Sequence, residues 1–171
     1  MGNQQSGANV DLSFTKEAIA AMPNEPIPFI AMDEDGNFSV AEKAKAALRA
    51  VGSGKICVIS ITGPSRSGKS ALANFLLERQ KGFEVGSTVG ACTRGIWMWG
   101  RPRRATLPSG EPAWVVLLDC EGTGNFDVDS EHDVKLFSLA CLLSSTILYN
   151  VSKKLRCACA FSAHVLYAPI F

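Results

Sequence analysis

Gly63-Pro64-Ser65-Arg66-Ser67-Gly68-Lys69-Ser70 reads G-x-x-x-x-G-K-S, a spacing that suits one task, holding a phosphate chain. The glycines let the backbone bend tightly enough for successive N–H groups to face a single anion. Lys69 reaches the terminal phosphates, and Ser70 offers its hydroxyl to Mg²⁺. A helix beginning near Lys69 would turn the positive end of its dipole toward the same point. The context such a loop needs is present on both sides. Ile56-Cys57-Val58-Ile59-Ser60-Ile61 reads as a buried strand, and Leu72, Phe75 and Leu76 recur at helical spacing, with Gly82 as a stop signal.

A second element belongs with the first. Trp114-Val115-Val116-Leu117-Leu118 is another apolar run, and it ends in Asp119, followed by Cys120-Glu121-Gly122. An aspartate at the tip of a strand beside a P-loop holds the magnesium shell, and Gly122 offers an unhindered backbone N–H to the terminal phosphate. Taken alone, Asp119 would be a turn starter. The complete loop upstream gives it the metal role.

These groups need a scaffold. The chain has 171 residues, 47% hydrophobic and 19% charged, which supports a packed domain and excludes a disordered one. The net charge of +1 gives no reason to expect nucleic acid as a partner. Arg101, Arg103 and Arg104 read as a solvated loop between strands. Residues 1–25 are polar and read as a flexible N-terminal arm. Pro28–Met32 reads as a short strand, Asp33-Glu34-Asp35-Gly36-Asn37 as a hairpin turn, and Ser39 with Glu42 as a capping box. Ala44, Ala47, Leu48 and Val51 share one helical face. Gly95-Ile96-Trp97-Met98-Trp99 alternates as a strand with both tryptophans on one side. Ser130 and Asp133 read as the cap of a helix running to about Ser145. It is apolar on several faces, so burial is expected, and a strand should follow at Thr146–Tyr149. The uncharged stretch from Leu136 to Val151 is too short and too rich in serine for a membrane span. The expected class is α/β, a P-loop NTPase three-layer fold with a partly formed, mostly parallel sheet and helices on both faces.

The six cysteines, with no secretory signal ahead of them, are expected to be reduced thiols in a cytoplasmic protein. Cys157, Cys159 and His164 match no common zinc spacing. Met1-Gly2-Asn3-Gln4-Gln5-Ser6 fits the N-myristoylation pattern. A single acyl chain on Gly2 would give reversible, peripheral membrane contact at most.

Several segments together resemble the guanylate-binding proteins, which stand with the atlastins among the large dynamin-related GTPases. They are the loop with Arg66, Thr88-Val89, Cys92-Thr93-Arg94-Gly95-Ile96-Trp97-Met98-Trp99, Leu118-Asp119-Cys120-Glu121-Gly122, Leu142-Leu143-Ser144-Ser145-Thr146 and Tyr149-Asn150. The resemblance covers residues 26–150, read as a partial G domain, and residues 151–171 form a divergent apolar tail. It implies a Mg²⁺-dependent hydrolase acting on GTP, with pairing of two copies through the nucleotide face. Thr93 then ligates Mg²⁺ beside Ser70 and, through water, Asp119. Arg66 is an internal arginine finger, and Glu121 helps order the attacking water. Arg66, Lys69 and Glu121 form the catalytic set. Gly63, Arg66, Ser67, Gly68, Lys69, Ser70, Ala71, Thr93, Asp119 and Gly122 form the nucleotide-binding set.

Two departures stand out. Ala91 occupies the place where the family often has a serine that takes part in water activation. No aspartate follows Asp133 to read a guanine edge, so the residues alone leave GTP and ATP open. The other reading is therefore a catalytically silent, truncated nucleotide-binding or interaction fragment. The tail either pads the sheet edge or is an out-of-frame or alternatively spliced ending.

Overall fold

Two short strands, β1 (Pro26–Met32) and β2 (Phe38–Val40), form the antiparallel hairpin that the acidic turn implies. Gly36 adopts φ +82°, and the Asp33 carboxylate accepts hydrogen bonds from the backbone N–H and side-chain amide of Asn37. There follow α1 (Glu42–Ala50), β3 (Lys55–Thr62), α2 (Lys69–Leu76), β4 (Gly95–Trp99), β5 (Arg103–Thr106), β6 (Pro112–Cys120), α3 (Ser130–Leu143), β7 (Thr146–Asn150) and β8 (Ala163–Leu166). The computed structural model describes residues 17–33, 35–52, 54–64, 66–83, 95–120, 130–150 and 163–166.

The strands make one open sheet in the order β2-β1-β4-β6-β3-β7-β8. β5 continues along β6 where β4 leaves off: β4 pairs with the last residues of β6 and β5 with its first. Helices cover both faces, as the α/β reading requires. The pairing is mixed, and this narrows the expectation of a mostly parallel sheet. Only β3–β6 and β3–β7, at the centre, are parallel. The other pairs are antiparallel, and in β1–β2 and β5–β6 a short turn joins the two strands, whereas only a crossover returns the chain in the same direction. β6–α3–β7 is such a crossover.

Alternation along the strands sorts the core into two layers. Ile96, Met98, Val116, Leu118 and Cys120 meet Ala44 and Ala47 of α1 and Leu136 and Ala140 of α3. On the other face Ile61, Leu117 and Trp99 meet Ala73 and Leu77 of α2, with Trp97 packed alongside. Both tryptophans therefore lie on one side of β4, as the sequence suggests, in the α2 layer. A smaller cluster joins Ile19, Val51 and Trp114. Residues 17–20 are helical, so the packed body begins ahead of the boundary expected at residue 26.

Several local expectations give way to tertiary context. Ser39 and Glu42 form no capping box. Ser39 is held in β2 opposite Ala31, α1 is N-capped by Ala41 without a side-chain bond, and Glu42 pairs with Lys45 instead. Gly82 does not end α2. The helix stops at Leu76, and Glu78 takes the left-handed turn at φ +56°. Gly82 packs so closely on Asn74 and Trp99 that a Cβ would crowd both. Arg103 and Arg104 lie in β5 rather than in a loop, and Arg101 donates to the carbonyls of Ala20 and Met22. α3 is not buried all round: Leu136 and Ala140 are sealed, but Val134, Phe137 and Leu142 face outward.

Asn74 closes the segment after α2. Its side-chain amide donates to the Phe83 carbonyl at 2.9 Å and accepts from the Phe83 N–H at 2.7 Å, both buried. Asn74→Ala leaves two backbone groups without partners, and urea denaturation should show a loss of about 1–3 kcal/mol. Unchanged stability would mean that water replaces the amide.

Candidate functional site

β3 ends at Thr62 between the tips of its two parallel neighbours, opposite Tyr149 of β7, while Ile61 lies opposite Asp119 of β6. The chain then turns into the loop 63–68 at the carboxyl edge of the sheet, where parallel α/β sheets place their ligands. Gly63 has φ +139°, and a Cβ there would run into the backbone carbonyl of Asn150. Only glycine lets the loop leave β3 so close to β7. Asn150, itself 4% exposed, donates its side-chain amide to the Ser67 carbonyl at 3.0 Å. The end of β7 thus clamps the far side of the loop.

Gly68 is the N-cap of α2 in the left-handed conformation, φ +91°, with no side chain capping the helix and no acidic residue in its first turn. The amides of Lys69, Ser70 and Ala71 open the helix toward the loop, an arrangement suited to an anion. Arg66 is exposed and holds φ +60°, strained for a side chain with a Cβ. Lys69 is buried, and its ammonium donates to the Pro64 carbonyl at 2.9 Å across the loop. The Ser67 hydroxyl is buried and makes no bond among the described residues.

Ser70 and Asp119 meet across the two strands. The Ser70 hydroxyl donates to Asp119 Oδ2 at 2.7 Å. Asp119 Oδ1 is sealed from solvent and has no hydrogen-bond partner among the described residues. Burial pushes the Asp119 carboxyl up from 3.8 to about 6, against the Ser70 bond and the nearby Lys69 charge, which pull it down. Burial, reinforced by the Asp119 charge, likewise lifts the neighbouring Cys120 thiol to about 12, so Cys120 packs as an apolar group.

An orphaned carboxylate oxygen beside a serine hydroxyl fits a hard divalent cation with oxygen ligands. Among the described residues no three His, Cys, Asp or Glu side chains gather as a metal cage. A cation here would thus take Ser70, Asp119, water and phosphate oxygens. An apolar hollow of about 130 Å³ lies elsewhere, between the end of α2 and β5, lined by Leu76, Leu77, Trp99 and Val115 among others. It lacks the loop, Lys69, Ser70 and Asp119.

The structure therefore brings together Gly63, Arg66, Ser67, Gly68, Lys69, Ser70, Ala71 and Asp119. Thr93, Glu121 and Gly122 lie outside the described residues, as do Ala91, Gly2, Cys157 and Cys159. The clamping role of Asn150 escapes motif reading. Its sequence signals are a polar residue at the end of a strand and its place in the Tyr149-Asn150 segment of the family resemblance, and neither indicates a contact with the loop.

The raised Asp119 carboxyl has a thermodynamic consequence. The group is harder to ionise folded than unfolded, so the metal-free chain loses stability as pH rises through the interval from about 4 to about 6. Asp119→Asn removes that cost. At pH 7 it should stabilise the metal-free chain by about 2–3 kcal/mol and flatten stability across that interval, read from denaturant titrations at several pH values. A less stable variant would show that the Ser70 bond outweighs burial.

Residues 35–158 match the family model described as guanylate-binding protein, N-terminal domain. Guanylate-binding protein 5 of Mus musculus is 41% identical over 132 residues, covering 77% of this chain and 21% of that protein. Guanylate-binding protein 2 of Homo sapiens is 41% identical over 129 residues, 74% of this chain and 21% of that one. Guanylate-binding protein 1 of Homo sapiens is 47% identical over 94 residues, 54% of this chain and 15% of that one. The chain spans about a fifth of the length of such relatives.

Proposed function

Because this chain belongs to the guanylate-binding protein family, we propose that it binds GTP with Mg²⁺ at the loop 63–70 and hydrolyses it. The observation that carries the reading is the Ser70–Asp119 pair, with its second carboxylate oxygen buried and unpartnered. Guanine as the base rests on family membership, since the described residues include no group placed to read it.

The geometry supports the roles of the loop, Lys69, Ser70, Asp119 and Arg66, and the family resemblance supports those of Thr93, Glu121 and Gly122. Loop amides and the open first turn of α2 cradle the phosphates. Lys69, 2.9 Å from the Pro64 carbonyl, exchanges that contact for the terminal phosphates. Ser70 and Asp119 would hold Mg²⁺, with Thr93 completing the set. Bound there, the ion neutralises charge on the phosphate oxygens. Arg66 projects from a strained, exposed position on the loop, where a guanidinium can balance charge developing on the transferring phosphoryl group. Glu121 orients the attacking water, and the Gly122 N–H binds the terminal phosphate. Binding of a second copy through the nucleotide face would shield Arg66 from solvent and strengthen its action. Gly2, if acylated, adds reversible membrane contact.

Ala91 supports a second reading, in which the chain binds nucleotide without turning it over. Single-turnover phosphate release separates the two. In the first reading the wild type releases phosphate, and chelating Mg²⁺ stops it. Arg66→Ala would then slow release by about 10³-fold with binding kept, and Lys69→Ala would lose binding. Tight binding with no release above the Lys69→Ala background would establish the silent reading. GTP and ATP competing for a fluorescent nucleotide decide the base: displacement by ATP as effective as by GTP would overturn the guanine assignment.

A further inference from the structure

Asn150 meets the phosphate loop at both of its ends. Its backbone lies so close to Gly63 that a Cβ there would run into the Asn150 carbonyl. Its side chain reaches the other end, where the amide nitrogen donates to the Ser67 carbonyl at 3.0 Å and lies beside Gly68. A carbonyl only accepts, so the amide must present its NH₂ group there. Asn150 is buried and stands on a strand paired on both sides, with β3 as far as Tyr149 and with β8 at Asn150 itself. It is a fixed point against which the loop is set.

What this contact fixes is one peptide plane. The described chain has no cis peptide bond, and in a planar trans peptide the C=O and the following N–H point in opposite directions. With the Ser67 carbonyl turned to Asn150, the Gly68 N–H is turned away from it. That N–H has no partner among the described residues. Gly68 holds φ +91°, and glycine adopts the opposite sign about as readily. The local sequence therefore leaves the 67–68 peptide free to flip. Flipped, it would show an anion a carbonyl oxygen instead of an N–H. A contact from outside the loop is needed to hold one orientation.

We propose that Asn150 is a positioning residue for phosphate binding: by holding the Ser67 carbonyl, it presets the Gly68 N–H toward the anion. The inference rests on the phosphate-binding reading of the loop and involves neither the base nor hydrolysis. Its effect falls on affinity, because a loop that occupies the competent orientation only part of the time binds more weakly by that fraction. Once bound, the phosphate itself holds the plane, so the rate at saturation is kept.

The test uses the full chain with Mg²⁺ and either GTP or inorganic tripolyphosphate, titrated by calorimetry. Asn150→Leu keeps most of the bulk and removes the donor, and Asn150→Ala removes both. Each should weaken binding about tenfold, as when the competent orientation falls to about a tenth of the population, and by the same factor for both ligands. Where phosphate is released, half-saturation should rise by that factor while the rate at saturation stays within about twofold. In the wild type, adding tripolyphosphate with Mg²⁺ should move the Gly68 amide proton downfield in NMR spectra. The amide of Gly110, ahead of β6 and far from Asp119 at its other end, should not move. Wild-type affinity in Asn150→Leu, or a Gly68 proton that stays in place while the ligand binds, would overturn this inference alone. So would a lower rate at saturation with affinity unchanged. A wild type that binds neither ligand would remove the phosphate-binding reading, and this inference with it.

Discussion

The parallel register of β3 between β6 and β7 is the constraint on which the site depends. It puts Ile61 level with Asp119 on one side and Thr62 level with Tyr149 on the other. One step later the loop begins, and each neighbour contributes one polar contact at that point. Asp119 accepts from Ser70, and Asn150 donates to the Ser67 carbonyl. A slip of one residue would turn both side chains to the wrong face, because strand side chains alternate. The loop is held by two strands that do not contain it.

The same geometry places an ionisable group where ionisation is unfavourable. Asp119 is pressed into a sealed position with one oxygen unpaired, and its proton affinity rises accordingly. The strained φ of Arg66 and the sealed hydroxyl of Ser67 add to the same account. Such features are expected where a fold is organised for a ligand rather than for its own stability. Elsewhere the core is conventional, two apolar layers against a twisted sheet, and it supplies the rigidity that the loop exploits.

Local signals were legible where they concern a few bonded neighbours. The loop, its glycines, the strand before it and the aspartate at the end of β6 could all be read from spacing, since each requires particular atoms within a few residues. The hairpin turn at Gly36 and the alternation of the two tryptophans were legible for the same reason. Capping and helix termination were not. Ser39 offers a capping hydroxyl, but strand pairing with Ala31 claims its backbone first. Gly82 offers a stop, but Glu78 provides the turn earlier, and Gly82 is instead required by the side chains of Asn74 and Trp99.

What the amino-acid order determined by itself was the chemistry: a phosphate-holding loop, a lysine and hydroxyl inside it, and a carboxylate at a strand end, all set by covalent spacing. Tertiary structure alone decided which groups became partners. The Ser70–Asp119 bond joins residues 49 apart, and the Asn150 clamp reaches back 83. The mixed sheet and the split character of α3, sealed beneath and exposed outward, were settled the same way. These depend on which surfaces meet after the chain has folded, and a one-dimensional pattern of apolar residues carries no record of which face finds a neighbour.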